Sequence, residues 1–299
     1  MLLVDEHDVT SADGTRIRVW RTDREGPTVL LCPGLGTIPE AWPALLLPES
    51  GVRTLSWYHR GTMGSQRPAD PKRIKLADHV ADAIAVLDDA GIDRCIVMGW
   101  SFGVTVACEL ALRYPDRVSG LMLVAGAPGD LFGAIFGVPG IPESVRRTFA
   151  VAGTTALKVG GGLGNLLLHN VPINDVTTFL ARHSGFLLPG AGQADVRKTL
   201  DRFRTHDWRW YFTLALALAD IPRQDLSGIS CPTTVIAGKY DALVSLDSMT
   251  RPTATLPQAK LRVLAASHFV PLEAPEVISE ELEELVERVD AVHRALENT

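Results

Sequence analysis

A serine stands between two glycines in the stretch Gly-Trp-Ser-Phe-Gly at residues 99–103. Residues 93–98 before it form a short apolar run suited to a buried strand, and residues 104–114 after it are long enough for three helical turns. A serine held between a strand and a helix lies on a sharp turn that presents its hydroxyl at the edge of a sheet. The helix N-terminus behind it favours developing negative charge. The pattern indicates a nucleophile, with a tight strand–helix turn and an incidental serine as the plainer alternative.

A serine hydroxyl is a poor nucleophile near neutral pH, so it needs a base to take its proton. Histidine suits that role because its pKa lies near neutrality, and a carboxylate can then hold the imidazole in the required tautomer. His268 and Asp241 supply these side chains, and each follows a predicted strand. The order Ser101, Asp241, His268 is the one expected when a strand–helix turn carries the serine. The sequence therefore predicts a nucleophile, an acid and a base.

Strands that alternate with helices must position these three side chains. Residues 28–32 form an apolar run without alternation, which is typical of a strand buried on both faces, and residues 118–125 and 233–238 form similar runs. We predict an α/β protein with a mostly parallel central sheet of about eight strands, flanked by helices. In such sheets the functional residues collect in loops at the carboxyl ends of strands, so the three candidates should meet at one edge.

The alternation stops between residues 130 and 222, where apolar helical pieces are separated by glycine and proline. We expect three parts: residues 1–129 and 223–299 form the core, and residues 130–222 form a helical cap inserted after the sixth strand. The glycine run at 160–164 follows no strand and precedes no Lys-Ser/Thr pair, so it is not a phosphate-binding loop. The aromatic residues of the insertion are expected to pack between cap and core: Trp208, Trp210, Tyr211 and Phe212.

The composition limits the partners of the chain. Its 299 residues are 46% hydrophobic and 21% charged, with a net charge of −6 and no basic patch, so no nucleic acid is expected. The four cysteines have no metal-ligand spacing, which predicts buried free thiols, no metal and no disulfide. The N-terminus lacks the pattern of a signal peptide, and no apolar window reaches the ~20 residues of a membrane span. We therefore expect a cytoplasmic protein with a small-molecule substrate and no cofactor, and a homodimer remains open.

Four segments in order resemble the motifs of the α/β-hydrolase-fold superfamily. Residues 99–103 resemble its nucleophile elbow, residues 238–245 its acid loop, residues 266–276 its histidine loop, and residues 33–36 its oxyanion loop. The resemblance covers roughly residues 10–128 and 222–295, and the insertion lies where the family places its lid. It implies a serine hydrolase with Ser101, Asp241 and His268 as the catalytic residues.

The resemblance also implies an oxyanion hole formed by the backbone N–H groups of Leu35 and Phe102. Some family members carry the acid after the strand that follows the elbow helix, which makes Asp130 an alternative to Asp241. The candidate pocket residues are Gly34, Gly36, Trp100 and Phe269.

Two positions depart from the family pattern. Pro33 stands where the oxyanion loop usually has histidine, and the loop at residues 58–64 lacks the usual aspartate. Backbone donors do not depend on the first change. We expect a structural role for the second loop, so His59 and Arg60 are not counted as catalytic.

The implied chemistry is acyl transfer through a covalent acyl-enzyme. We expect a carboxylic ester hydrolase that acts on a small-to-medium apolar substrate. The same machinery could serve a C–C bond hydrolase, a thioesterase, a lactonase or a cofactor-free haloperoxidase, and a non-catalytic ligand receptor or scaffold is the alternative of a different class. The insertion is apolar, either to contact substrate or to form its own core, at Leu131, Phe132, Ile135, Phe136, Leu166, Leu167, Leu168, Phe186, Leu187 and Leu188.

Overall fold

The computed structural model of the chain describes residues 4–134 and 142–297. Eight strands form one sheet in the order β1-β2-β4-β3-β5-β6-β7-β8. β2 runs antiparallel to both of its neighbours, and the strand pairs from β4 to β8 are parallel. The strands are β1 (Val4–Thr10), β2 (Arg16–Thr22), β3 (Thr28–Cys32), β4 (Arg53–Trp57), β5 (Cys95–Trp100), β6 (Val118–Val124), β7 (Thr233–Gly238) and β8 (Ala259–Leu264).

Twelve α-helices accompany the sheet in the described ranges, and short 3-10 turns lie at Pro39–Ala41, Pro48–Ser50 and Pro115–Arg117. Between β3 and β4 the turn at Pro39–Ala41 is followed by a separate short helix that begins at Pro43. The helices are α1 (Pro43–Leu46), α2 (Leu76–Asp89), α3 (Phe102–Arg113), α4 (Leu131–Ala134), α5 (Glu143–Val159), α6 (Gly161–His169), α7 (Asp175–Arg182), α8 (Gln193–Phe203), α9 (Trp208–Ala217), α10 (Leu246–Thr253), α11 (Val270–Glu273) and α12 (Pro275–Glu297).

The core lies on both faces of the sheet. All six residues of β5 are buried, as expected for a central strand covered on both sides. One apolar cluster joins the sheet to α2 and α3 through residues such as Val80, Val86 and Val106. A second cluster joins the opposite face to α12 through Ile278 and Leu285. The predicted fold class, a mostly parallel sheet of eight strands flanked by helices, is confirmed.

The helical segment, defined here as α4–α9, follows β6 and precedes β7, and no strand occurs in its described residues, 131–134 and 142–217. Polar contacts tie it to the sheet side. Arg202 of α8 forms ion pairs with Glu6 and Glu40, and the indole N–H of Trp210 donates to the backbone oxygen of Arg60. The segment therefore has fixed anchor points on the rest of the molecule.

The loop that follows β4 is held by a buried cation. The Arg60 side chain is 1% exposed and pairs with Asp82 and Asp13. A buried guanidinium needs such partners, since an unpaired charge in the interior is costly. Arg60 therefore has the structural role that its sequence context predicts.

Candidate active site

Ser101 lies at the junction of β5 and α3 with a left-handed backbone, at φ 54°. Its N–H donates to the backbone oxygen of Val124 at 3.0 Å, which fixes the turn against the neighbouring strand. A Cβ added to Gly103 would overlap the backbone oxygen of Cys32, and one added to Gly99 would overlap the backbone oxygen of Gly103. Both positions therefore require glycine. Close packing of three backbone segments holds the turn in its strained conformation.

His268 and Asp241 meet at the carboxyl edge of the sheet. His268 Nδ1 lies 2.8 Å from Asp241 Oδ2, and the two side chains are 5% and 0% exposed. The other carboxylate oxygen accepts the N–H groups of Leu243 and Val244, each at 2.8 Å. The carboxylate is thus fixed as an acceptor for a proton on Nδ1 of the imidazole. The lone pair on Nε2 is then free to accept a proton.

Trp100 connects the turn of Ser101 to His268. Its indole N–H donates to the backbone oxygen of His268 at 3.0 Å, and the two rings lie 5.4 Å apart. Among the described residues, no hydrogen bond joins Ser101 to His268. Hydrogen bonds between a nucleophile and its base are often long in structures without substrate and tighten when substrate binds. Through Trp100, the structure therefore places the candidate nucleophile and the candidate base on adjoining loops.

The second candidate acid, Asp130, has different partners. It is buried after β6 and accepts a hydrogen bond from Arg223 at 3.2 Å, with Arg147 at 3.7 Å. The positive charges of these two arginines offset the negative charge of the Asp130 carboxylate. The structure brings Asp241 to the histidine and Asp130 to the arginines.

The loop after β3 lies against the turn of Ser101. A Cβ on Gly34 would approach the Trp100 ring at 2.8 Å and its backbone oxygen at 3.1 Å. Phe102 is the first residue of α3, and the first N–H groups of a helix have no acceptor within it. That N–H is therefore available to an oxygen from outside the helix. The pairing of the Leu35 and Phe102 N–H groups as an oxyanion hole remains a prediction.

Two buried histidines support the same loop. His59 Nε2 lies 3.2 Å from the backbone oxygen of Pro33, and its Nδ1 lies 3.3 Å from His79 Nδ1. The His59 ring also lies 5.6 Å from the ring of Phe102. Burial lowers the pKa of both histidines to about 3, so both stay neutral near pH 7. His59 thus donates to the loop at the position where Pro33 departs from the family pattern.

Sequence reasoning gave His59 a structural role but did not single out His79. The sequence signal for this contact was that two loops depart from the family pattern, at Pro33 and after β4. The structure shows that these two loops are in contact through His59.

A cavity of about 140 Å³ adjoins the site. Three of the four pocket residues predicted from the sequence line it, namely Gly36, Trp100 and Phe269, whereas Gly34 does not. Because Trp100 and Phe269 are the chain neighbours of Ser101 and His268, the cavity lies next to the candidate reacting groups. Its outer wall comes from the helical segment, at Ala181, Leu187, Val196, Leu200 and Phe203.

The other apolar residues predicted for the insertion have different positions. Leu131 and Phe132 are buried in the core, and Leu187 lines the cavity. Ile135 and Phe136 lie outside the described residues. Four of the remaining residues are exposed to solvent, namely Leu166, Leu167, Leu168 and Phe186.

The aromatic residues of α9 pack against the sheet side. Tyr211 lies over Gly36, where an added Cβ would be 2.7 Å from its ring, and Trp210 covers Gly61. The rings of Trp208 and Phe212 each contact Tyr211 at a centroid distance of 5.3 Å, the first tilted and the second edge-to-face. These contacts support packing between the insertion and the core, as the sequence predicted.

In the described ranges, no group of three or more His, Cys, Asp or Glu side chains is placed to hold a metal ion. The four cysteines are free, and three of them are buried. Burial raises the pKa of the Cys95 thiol to about 12, which makes it a poor nucleophile.

In the part of the chain that the structure describes, no helix is long and apolar enough to cross a membrane.

Comparison with known proteins identifies relatives of the chain. The model of the alpha/beta hydrolase fold family matches residues 27–161. Epoxide hydrolase B of Mycobacterium tuberculosis is 32% identical over 152 residues, which are 47% of this chain and 40% of that protein. The matched segment thus spans less than half the length of that relative. The putative carbamate hydrolase RutD of Agrobacterium fabrum is 27% identical over 275 residues, covering 88% of this chain and 94% of the relative.

A solved structure extends the comparison to nearly the whole chain. The enol-lactonase of Burkholderia xenovorans LB400 superposes with a TM-score of 0.68 at 19% identity, covering 94% of this chain and 100% of that one. At this identity the likeness shows a shared fold. Together with the family match, it shows that the chain has the alpha/beta hydrolase fold, and the relatives that match its sequence are named as hydrolases.

Proposed function

We propose that this protein is a hydrolase that cleaves a carboxylic ester of a small-to-medium apolar substrate through an acyl-enzyme on Ser101. The observation that carries the proposal is the His268–Asp241 hydrogen bond of 2.8 Å, held beside the strained turn of Ser101. A fixed carboxylate, an imidazole with a free Nε2 and a serine on a glycine-bounded turn are the parts that acyl transfer requires.

In the proposed reaction, His268 Nε2 takes the proton of Ser101 Oγ as the oxygen attacks the substrate carbonyl carbon. The carbonyl oxygen becomes an oxyanion and accepts hydrogen bonds from the N–H groups of Leu35 and Phe102. The C–O bond to the alcohol then breaks, and the leaving oxygen takes the proton from His268. Water attacks the acyl-enzyme, gives its proton to His268, and releases the carboxylic acid while Ser101 regains its hydrogen. No cofactor enters this cycle.

The cavity supports an apolar substrate. Its lining side chains are mainly aliphatic and aromatic, and a volume of about 140 Å³ suits a short acyl or aromatic group. Because Trp100 and Phe269 line it, a group held there would lie close to the carbonyl under attack. We propose that the helical segment acts as a cap, within residues 130–222, between core parts 1–129 and 223–299.

The relatives favour acyl chemistry in different degrees. A carbamate and an enol-lactone both present a carbonyl to a serine nucleophile, so the relatives named for them fit the same mechanism. An epoxide does not. Serine attack on an epoxide carbon would leave an ether on Ser101, which water does not hydrolyse, so the enzyme would stop after one turnover. We therefore do not extend the activity of Epoxide hydrolase B to this chain.

The test compares p-nitrophenyl esters of increasing acyl length on wild type, Ser101→Ala and Ser119→Ala. Ser119 is a half-buried serine of β6, away from the candidate site, and serves as the matched control. We expect Ser101→Ala to lose on the order of 10⁴-fold or more in kcat, and Ser119→Ala to retain wild-type rates. A fluorophosphonate should label Ser101 alone, as read by peptide mass spectrometry. Activity of Ser101→Ala within tenfold of wild type would overturn the proposal, and a wild type that takes up no label would favour a receptor.

A further inference from the structure

The exposed apolar side chains of this chain are concentrated on one part of it. Among the described residues, nineteen large apolar side chains are exposed, and twelve of them lie between residues 145 and 186. They belong to α5, α6, α7 and the residues just after α7. We call this surface the apolar face: Val145, Phe149, Leu157, Val159, Leu163, Leu166, Leu167, Leu168, Val176, Phe179, Leu180 and Phe186.

The exposure follows from one-sided packing. α5 and α6 pack against α9, and Gly161 is so close to the Arg209 backbone that an added Cβ would lie 2.6 Å from it. His169 Nε2 also contacts the backbone oxygen of His206 at 2.9 Å. α5 and α6 are therefore packed on one side, and their other side is exposed to solvent. Leu163, Leu166 and Leu167 follow helical spacing on that side, at 62%, 64% and 59% exposure.

The apolar face carries few charges, and its central part carries almost none. Five charged side chains lie between residues 145 and 186, namely Arg146, Arg147, Lys158, Asp175 and Arg182, and Lys158 is the one within 148–174, whereas 21% of the whole chain is charged. A solvated helix surface normally carries charges of both signs. The exposed positions of α5 also include Ala152, Gly153 and Ala156, whose small side chains would let another helix approach closely. Such a surface is not suited to permanent contact with water.

The area matches a protein interface. Twelve large side chains, most of them more than half exposed, present on the order of 1,000 Å² of apolar surface, which is above the ~300–600 Å² of the largest patch on a typical monomer. A stable interface buries about 800 Å² per partner. The face is therefore large enough to hold two molecules together.

We propose that the apolar face binds a second copy of this chain, in a two-fold symmetric dimer. In such a contact the same patch meets itself, so any charge on it would face its own copy. The central part of the face, residues 148–174, meets this requirement with a single cation among 27 residues, and near its ends Arg147 pairs with Asp130 and Asp175 with Arg197. A lipid surface fits less well, because helices that lie on membranes carry many Lys and Arg along their polar edge. The net charge of −6 also opposes binding to anionic lipid.

The test measures the mass of the full chain in solution by sedimentation velocity at protein concentrations from about 1 to 100 μM. An interface of this size is expected to bind with roughly micromolar affinity or tighter, so this range should show the dimer. Leu166→Glu is compared with Leu296→Glu, since Leu166 and Leu296 are both 64% exposed and only the first lies on the apolar face. We expect wild type and Leu296→Glu at twice the 32.3 kDa chain mass. Leu166→Glu should raise the dimer dissociation constant at least ~100-fold, because each copy would bury a new charge.

Thermal melting of all three proteins checks that they are folded. Co-sedimentation with vesicles of phosphatidylcholine, alone and with phosphatidylglycerol, tests the lipid alternative. Wild type that stays monomeric at 100 μM overturns the proposal, whether or not it binds the vesicles. A Leu166→Glu protein that stays dimeric as tightly as Leu296→Glu places the contact elsewhere and overturns the assignment of the face.

Discussion

Gly36 lies where the helical segment presses on the loop after β3. An added Cβ would be 2.7 Å from a Tyr211 ring carbon, 2.9 Å from a Phe203 ring carbon and 3.2 Å from His206 Nε2. The backbone is also left-handed, at φ 73°. Gly36→Ala therefore meets two separate penalties, one from the backbone and one from the aromatic side chains.

The two penalties can be separated with a control. A non-glycine residue in the left-handed region costs roughly 1–2 kcal/mol, and overpacking of a tight site costs a further ~1–3 kcal/mol. Gly14 has φ 82°, and no heavy atom lies within 4 Å of an added Cβ, so Gly14→Ala incurs only the first cost. We expect the free energy of unfolding to fall by ~2–5 kcal/mol in Gly36→Ala and by ~1–2 kcal/mol in Gly14→Ala.

The activity should separate the variants further. Gly36 follows Leu35, whose N–H is a proposed oxyanion donor, and loss of one such donor typically lowers kcat by about 10²–10³-fold. We expect Gly36→Ala to lose about 10²-fold in kcat on a p-nitrophenyl ester, while Gly14→Ala keeps the wild-type value. Urea unfolding and steady-state kinetics measure the two effects.

A second substitution checks the cause. Tyr211→Ala should relieve part of the strain, so the double variant should be more stable than the sum of the single changes indicates. If Gly36→Ala equals Gly14→Ala in both stability and kcat, the helical segment does not press on this loop. The reasoning about the cavity wall would then fail as well.

Two further predictions concern carboxylates. Asp241→Asn should lower kcat by about 10⁴-fold, because an asparagine cannot hold the catalytic tautomer of the histidine. The kcat of Asp130→Asn should stay within tenfold of wild type in the same assay. If Asp130→Asn is the more impaired variant, the acid is Asp130. Burial raises the pKa of Asp13, but hydrogen bonds from Arg60 and Thr15 outweigh it and lower the pKa to about 2. Since the folded-state pKa is below the unfolded value, this stabilisation is present above pH ~4 and is lost as the pH falls toward 2; it amounts to about 2 kcal/mol. About two-thirds of it is lost by pH 2.5, so in urea unfolding the wild type should lose ~1.5 kcal/mol more than Asp13→Asn between pH 6 and pH 2.5.

The sheet and the turn of Ser101 could be predicted because their causes are local. Unbroken apolar runs separated by helical periodicity require a parallel sheet with two covered faces. Gly99 and Gly103 are required by backbone contacts that any strand–turn–helix of this tightness makes. The His268–Asp241 contact follows in turn, because both residues end strands at the same edge.

The support from His79 could not be predicted in this way. It comes from α2, and only the packed structure shows that its ring reaches His59 and thereby the loop at Pro33. The apolar residues of the helical segment were ambiguous for a related reason. Periodicity shows which side of a helix is apolar, but it does not show whether another element covers that side. Leu166 and Leu187 are both leucines of one insertion, yet one is exposed and the other lines the cavity.

The division of the cavity between two parts of the chain determines how specificity can vary. Trp100 and Phe269 are fixed by the loops that carry the candidate catalytic residues, so a change there would disturb the chemistry. Val196 and Leu200 line the opposite wall from α8, whose position depends on the ion pairs of Arg202 with the core. Substitutions on that helix can therefore change the shape of the cavity without touching the reacting groups. In the proposed mechanism, preference for acyl length is determined by α8, and kcat by the edge of the sheet.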